Sequence, residues 1–443
     1  MDAVLEVWQS FFRELSGPNG LTRLFLMLFP YFLLFELPFN VMVFLGALRW
    51  FVRKRSMVQL NNTHYQPRVS CIITCYSEGL DVQKTILSLC EQTYPGHIEI
   101  IPVVDGAAVN QVTMDAVRDF HLDPHIYPRR HLRPIAKWQR GGRVSSLNAG
   151  LAQSSGEIVM ALDGDTSFDN NMVSAMVRHF ADPDVPAVAG SLRVRNAWAS
   201  VTAAVQALEY LISIHFAKIG LAEWNVVNNV SGAFGAFRRS FLEVVGGWDT
   251  HTAEDLDLTL RIKSYARRRN LRIPFEPEAI GHTDVPATLR QFLMQRLRWD
   301  GDLFFLYIRK HKHSITPGLL GWPNFLAALV SGLFFQLVLP FIILTYTIMA
   351  VALLPWTTLI LIFMLTYGLY LLITVAMFLG MLVMTSERPR QDIKLAILLP
   401  LFPLFMMMVR LWSVVAILNE ALRRGHEESS MAPWWVLKKA TRF

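Results

Sequence analysis

Hydrophobic and polar positions follow two regimes along this chain. Between Arg68 and Asp163, short apolar runs alternate with stretches of helical periodicity. Val69 to Thr74 reads as a buried strand. Residues 80–92 read as a helix, with Val82, Ile86, Leu87 and Cys90 on one face. Residues 98–105 read as a second strand, 111–120 as a helix, 125–130 as a third strand, 142–154 as a helix and 157–163 as a further strand. This alternation predicts an α/β domain with a mostly parallel sheet. Ligands of such sheets bind beyond the carboxyl ends of the strands, where Asp105 and Asp163 fall.

The second regime is apolar runs that exceed or approach the ~20 residues needed to cross a bilayer. They cover residues 21–51, 324–354, 356–384 and 395–418. The first is broken by Pro30, Glu36 and Pro38, which predicts a kinked helix, and it lacks the small-residue cleavage pattern of a signal peptide. The last holds Pro400, Pro403 and Arg410, and either crosses or enters and returns. The charged stretch 385–394 is expected in the cytosol. Near the N-terminus, Leu5, Trp8, Phe12 and Leu15 share one helical face, suited to a membrane surface or to ordinary packing. The chain thus divides into an amphipathic helix (1–20), a transmembrane helix (21–55), a cytosolic domain (65–287), interfacial helices (288–318), transmembrane helices (320–420) and a cytosolic tail (421–443).

Composition sharpens this division. The 443 residues are 53% hydrophobic and only 17% charged, against about a quarter charged in an ordinary soluble protein. The net charge of +7 does not point to nucleic acid, because the basic residues cluster at 53–55, 267–269 and 309–313, beside apolar segments. Cys71, Cys75 and Cys90 match neither a disulfide framework nor a zinc site, and read as reduced thiols.

Three segments carry candidate chemistry. In Asp163-Gly164-Asp165 two carboxylates end a buried-looking strand. Ionised and unpaired they would cost several kcal/mol (order of magnitude) in a dry core. Their spacing lets both reach one hard cation such as Mg²⁺ or Mn²⁺, shared with a diphosphate; a solvated turn is the plain alternative. In residues 248–264, Thr252 ahead of Glu254 and Asp255 looks like a helix N-terminus. There a carboxylate can serve as a general base or simply cap the helix. In residues 291–302, Gln295, Arg298 and Trp299 fall within about one helical turn. Arg can neutralise a phosphate and Trp can stack on a sugar, or the helix can anchor at a membrane surface. His282 reads as a structural hydrogen-bonding residue, His311 and His313 as membrane-edge residues, and Met406 to Met408 as packing or lipid-facing.

Taken in order, Asp105, Asp163-Gly164-Asp165, Glu254-Asp255 and Gln295-Arg296-Leu297-Arg298-Trp299, with flanking apolar spans, resemble the processive membrane glycosyltransferases of family 2. These are the synthases of cellulose, chitin, hyaluronan and poly-N-acetylglucosamine. The resemblance covers residues 65–315, and 234–249 with 295–299 are most similar to bacterial synthases of poly-N-acetylglucosamine and related β-glucans.

The resemblance implies a GT-A fold between transmembrane and interfacial helices, and inverting transfer from a UDP-sugar with Mg²⁺ or Mn²⁺. It implies Tyr76, Glu78 and Asp105 near the uracil, Arg143 near the diphosphate in place of a family lysine, and Asp163 and Asp165 at the metal. Gln295 and Arg298 would complete the donor site. Asp255 would be the base with Glu254 beside it, and Ser231, Gly232 and Trp299 would meet the acceptor. The chain departs from the family at Ser77, Val104 and Ala253, where the family has asparagine, an acidic residue and threonine. UDP-GlcNAc and UDP-glucose are the expected donors, a growing β-linked polysaccharide the acceptor, and an inner-membrane, multi-pass location the expected setting. The competing expectations are single-sugar transfer to a lipid, and a transporter with a regulatory domain, which would release no UDP. No accessory or export partner is visible in the sequence.

Overall fold

The structure is a computed structural model that describes residues 34–56, 65–250, 252–265 and 270–423, with isolated positions before residue 34. The helix expected over 1–20, the start of the apolar run at 21 and the tail from 424 lie outside the described residues.

Helix α1 (Leu37–Ser56) precedes the sheet domain. The domain then runs β1 (Val69–Cys75), α2 (Asp81–Cys90), β2 (Ile98–Asp105), α3 (Gln111–Arg118), β3 (Arg130–Leu132), β4 (Ile135–Lys137), α4 (Gly142–Gln153) and β5 (Ile158–Asp163). Its second half is β6 (Ser167–Phe168), α5 (Met172–Val177), β7 (Ala187–Val194), α6 (Val201–Glu209), α7 (Ala217–Glu223), β8 (Phe234–Arg238), α8 (Arg239–Val245), α9 (Glu254–Ser264) and β9 (Phe275–Thr283). Among the described residues these strands form one sheet of order β3-β2-β1-β5-β8-β7-β9-β6, with β4 beside β2.

The first half is parallel, as the alternating pattern predicts, and β1, β2 and β5 are buried almost throughout. Strand β8 pairs antiparallel with both β5 and β7, so the sheet is mixed. Register builds the site directly. Thr74 lies opposite Asp163 and Cys75 opposite Val104, so the next step of the chain carries Tyr76 out beside Asp105. The strand expected over 125–130 is displaced: β3 starts only at Arg130. Asp123 accepts from the His125 N–H at 2.8 Å and its carbonyl from the Tyr127 N–H at 2.9 Å. Together with Pro124 and Pro128, this winds the segment into turns.

After the domain come α10 (Leu289–Phe304), a π-helical continuation over Phe305–Lys310, α11 (Pro317–Leu320), α12 (Trp322–Ala327), a π-wound stretch Ala328–Val338 and α13 (Leu339–Leu353). Then follow α14 (Trp356–Met384), α15 (Pro389–Asp392) and α16 (Phe402–Arg423). Leu34–Lys54, Trp322–Ala352, Trp356–Met384 and Phe402–Arg423 are long and apolar enough to cross a membrane.

The first of these segments is fastened to the domain. A side chain at Gly220 would meet Val43 backbone, which is how α1 and α7 come so close. Glu223 receives Arg53 and Arg49, and Lys54 reaches Glu278 at 2.7 Å. The charges inside the apolar segments are paired as well. Arg410 of α16 meets Glu36 at 2.5 Å, and the Tyr370 hydroxyl of α14 donates to the same carboxylate. Both flanks of the last apolar stretch are held by ion pairs. Arg193 holds Asp392 at 3.4 Å, and Arg309 holds Glu420 at 3.2 Å.

Candidate active site

The carboxyl ends of β1, β2 and β5 open into a cleft whose floor is one connected network. Arg143, on the first turn of α4, is its hub. Its Nε donates to Glu254 at 2.6 Å, Nη1 to Thr74 at 2.7 Å and to Asp163, and Nη2 to the Gly232 carbonyl at 2.5 Å. One arginine therefore joins the Asp-Gly-Asp strand end, the Glu-Asp helix start and the 231–232 loop, separated by up to 111 positions in sequence. Burial opposes the Arg143 charge but is outweighed by Asp163 and Glu254, so its pKa is raised. The diphosphate contact expected of Arg143 has little of the fork left to use, because protein acceptors take all but one of its N–H groups.

Asp105 belongs to the same network through the turn before α4. It receives Lys137 Nζ at 2.8 Å and the Gly141 N–H at 2.9 Å on Oδ1, and the Gly142 N–H at 2.8 Å on Oδ2. One acceptor position on Oδ2 remains. The Arg140 guanidinium, on the loop that Asp105 holds, covers the Tyr76 ring at 4.4 Å.

The remaining acidic groups of the cleft are short of positive charge. Asp163 is engaged by Arg143, but among the described residues Asp165 makes no ion pair; it meets the Thr166 hydroxyl at 3.3 Å and a backbone N–H, with Arg195 a more distant charge. Crowding of the cleft and then the Asp163 charge push Asp165 up to about 6. The Asp165 side chain is exposed on one side, so charge repulsion is the part of that shift a bound cation would reverse. Glu78 is pushed up to about 7, chiefly by burial and further by Asp165 and Asp163, against two backbone N–H donors. Its Oε2 is buried without a partner among the described residues. Hard oxygens with excess negative charge fit Mg²⁺ or Mn²⁺. Among the described residues no group of three or more His, Cys, Asp or Glu closes a site by itself, so Asp163 and Asp165 fit an ion that takes other ligands from water and a ligand's phosphates.

Asp255 stands on the first turn of α9. Its Oδ2 accepts from Asn229 Nδ2 at 2.7 Å and from the Gly232 N–H at 3.1 Å, both neutral donors that orient the carboxylate without cancelling its charge. Lys218, buried and lowered to about 8 by burial against the pull of Asp255, donates to the Asn229 carbonyl at 3.0 Å and backs that loop. Glu254 is raised by burial and by Asp255, against its pairing with Arg143. Thr252 does not cap this helix. Ala253 occupies the cap position in the left-handed region at φ 43°, with no side-chain hydrogen bond. Gly232 permits the close approach: a Cβ there would lie 2.8 Å from Glu254 Oε1.

Helix α10 lies against this floor. Leu303 and Phe304 pack with Leu256 and Leu260 of α9, and Asp302 lies in the field of both Arg298 and Glu254. Arg296 places its guanidinium 4.9 Å from the Trp299 ring and binds Glu209 at 2.6 and 2.8 Å, so it holds Trp299 and takes a structural role. Gln295 Oε1 is buried and without a partner among the described residues.

The comparisons with known proteins bear on this geometry. Residues 158–409 match the description of glycosyl transferase family group 2. The chain belongs to that family. A poly-β-1,6-N-acetyl-D-glucosamine synthase of Staphylococcus epidermidis is 30% identical over 282 residues, 62% of this chain and 64% of the relative. The enzyme of that name from Staphylococcus aureus strain COL is 28% identical over the same length. The chain thus spans less than two thirds of these relatives. A solved mannosyltransferase from Pyrobaculum calidifontis, in complex with GDP-mannose and Mn²⁺, superposes with a TM-score of 0.55 at 20% identity. It covers 87% of this chain and 98% of its own, a match in fold. The GT-A domain with flanking apolar helices is the architecture that the sequence resemblance implies.

Sequence reasoning passed over several residues of this glycosyltransferase's cleft. Asn229 sits in Asn228-Asn229 before the Ser231-Gly232 turn, where turn chemistry is the only signal. Lys137 and Arg140 flank a loop ending in Gly141-Gly142, again visible only as a turn. His311 is not a membrane-edge residue; it is buried against Asp257, with Nε2 2.8 Å from Oδ1. His282 bonds Asp169 at 2.9 Å, a structural contact as expected.

Proposed function

We propose that this family 2 glycosyltransferase transfers sugar from a UDP-sugar, UDP-GlcNAc before UDP-glucose, to the end of a growing β-linked exopolysaccharide, with inversion at the anomeric carbon. The observation that carries the reading is the Arg143 hub, which joins Asp163 to Glu254 and leaves Asp165 and Asp255 open on either side. The names of the relatives favour N-acetylglucosamine.

In this reading Asp255 accepts the proton of the acceptor hydroxyl. The oxygen attacks the anomeric carbon on the face opposite UDP; the bond from that carbon to the diphosphate breaks, and UDP departs with its electron pair. Asn229 and Gly232 hold Asp255 in line. Asp165 with Asp163 would hold Mg²⁺ or Mn²⁺, which neutralises the departing diphosphate when bound. Arg298 adds positive charge on the α10 side, and Gln295 offers its unpartnered carbonyl oxygen to the donor. Tyr76, Glu78 and the free position on Asp105 address the uracil. Trp299, with Ser231 and Gly232, receives the acceptor sugar. The protein sits in the inner membrane as a multi-pass chain with its catalytic domain and the 385–394 loop in the cytosol, and the polymer leaves through a path between its own spans. The attachment of that loop to the domain through Arg193 supports this layout.

One observation favours single-sugar transfer to a lipid as the second reading. Leu293, Phe363, Leu404, Met407, Met408, Leu411 and Trp412 line an apolar groove of about 510 Å³ beside α10. Incubating the full chain with UDP-sugars and Mg²⁺ or Mn²⁺, and sizing the product, separates the two. Long chains support polymerisation; a single-sugar glycolipid overturns it in favour of the second reading; no UDP release from any donor overturns both.

A further inference from the structure

We infer that Arg140 is a nucleobase clamp that closes on the open face of a base stacked over Tyr76. The inference rests on the nucleotide-donor reading and adds a specificity residue to it. Tyr76 leaves the carboxyl end of β1 beside Asp105, and its ring is covered by the Arg140 guanidinium at 4.4 Å. A planar guanidinium stacks on aromatic faces as a base does, so Arg140 marks the surface where a flat, polar, π-faced ligand belongs. The gap is too narrow for a ring to enter between the two groups. Entry of a base lifts Arg140 by one ring thickness and leaves the base between tyrosine below and arginine above.

Two features of the loop suit it to this motion. Its far end is pinned, because Asp105 takes Lys137, Gly141 and Gly142 at 2.8–2.9 Å. The arginine itself is not: its Nε is buried and has no hydrogen-bond partner among the described residues. No hydrogen bond of that N–H has to break when the guanidinium lifts. Gly106, at φ +64°, lies under the loop, where a Cβ would stand 3.5 Å from Arg140 Cβ, so backbone rather than side chain faces the clamp.

The test is calorimetric titration of the full-length protein with UDP in the presence of Mg²⁺, alongside inorganic pyrophosphate as a ligand without a base. The wild type is compared with Arg140→Ala, which removes the clamp, and Arg140→Lys, which keeps charge but not the plane. Base stacking predicts that Arg140→Ala weakens UDP about tenfold, that Arg140→Lys falls between, and that pyrophosphate binds all three alike. Unchanged UDP affinity in Arg140→Ala overturns the clamp. Equal weakening of UDP and pyrophosphate also overturns it, since the arginine would then serve the phosphates or the loop. A wild type that binds pyrophosphate but not UDP overturns the nucleotide-donor reading itself.

Discussion

Asp255 and Asp257 stand two residues apart on α9, yet they occupy opposite electrostatic worlds. Asp257 is fully buried and saturated with hydrogen-bond donors, two of them cationic. His311 and Lys310 each reach Oδ1 at 2.8 Å, and Arg261 holds Oδ2 at 2.8–2.9 Å. Burial works against its charge, but those three partners prevail and hold it down to about 2. On the cleft side of the same helix, Asp255 is steered by neutral amides, and across the floor Asp165 and Glu78 rise to about 6 and about 7. The knot around Asp257 ties α9 to the π-helical end of α10, and so joins the two walls of the site. Asp257, whose charge the protein balances, ties the fold together, whereas Asp255, held by neutral donors, faces the cleft.

The largest effect expected from this contrast belongs to Asp255→Asn. Loss of a general base lowers the rate of UDP release on the order of 10²- to 10⁴-fold, with UDP affinity unchanged; kinetics and titration on one preparation check both halves. Asp257→Asn acts on the other region. It leaves the half-buried Arg261 without its counter-charge and weakens the Lys310 and His311 contacts, although Lys310 keeps Asp249 at 2.7 Å, at a cost of about 3 kcal/mol, read as a fall in chemical-denaturation midpoint.

The pH dependence of the two regions has opposite sign. Asp257 is depressed from 3.8 to about 2, so its contribution is fully present above pH 3.8 and is lost as pH falls toward 2. Asp165 and Glu78 are raised, so the native state binds the extra proton, and the cleft's cost to stability is relieved as pH falls through 7 and 6. Thermal melts at pH 7.5 and 5.5 should therefore show Mn²⁺ or Mg²⁺ stabilising the protein more at the higher pH. The smallest effect is expected from Gly232→Ala. Its Cβ would crowd Glu254 Oε1 at 2.8 Å, shift the loop that orients Asp255, and slow turnover about tenfold without unfolding the chain.

Much of the first region was legible in the sequence. Strands β1, β2 and β5 are buried on both faces, so each reads as an unbroken apolar run, and the switch to Asp105 or Asp163 marks its carboxyl end. The second half of the sheet was not legible. β7 pairs in parallel with β9 across a register break at Gly190/Ser191, and β8, which lies between them in sequence, inserts antiparallel between β5 and β7, an order that no local periodicity encodes. The charge network was invisible for a related reason. Arg143 and Glu254 lie 111 positions apart, and Asp257 and His311 lie 54 apart. Arg143 could be named from its motif, but not its partners. His311, within the basic run 309–313, looked like a membrane-edge residue until the fold brought Asp257 to it. Pro124 and Pro128 are the local signals against a strand at 125–129, and they prevail over the β-prone residues around them.

The most direct measurement is the affinity of the purified full-length chain for UDP at pH 7.5, titrated with and without Mg²⁺ or Mn²⁺, in the wild type and in Asp165→Ala. If the cleft is a carboxylate site awaiting a cation and its diphosphate, UDP binds tightly only with the metal, and Asp165→Ala removes the difference. UDP binding that is equally strong without a divalent cation, or that survives Asp165→Ala with its metal dependence intact, would contradict the account.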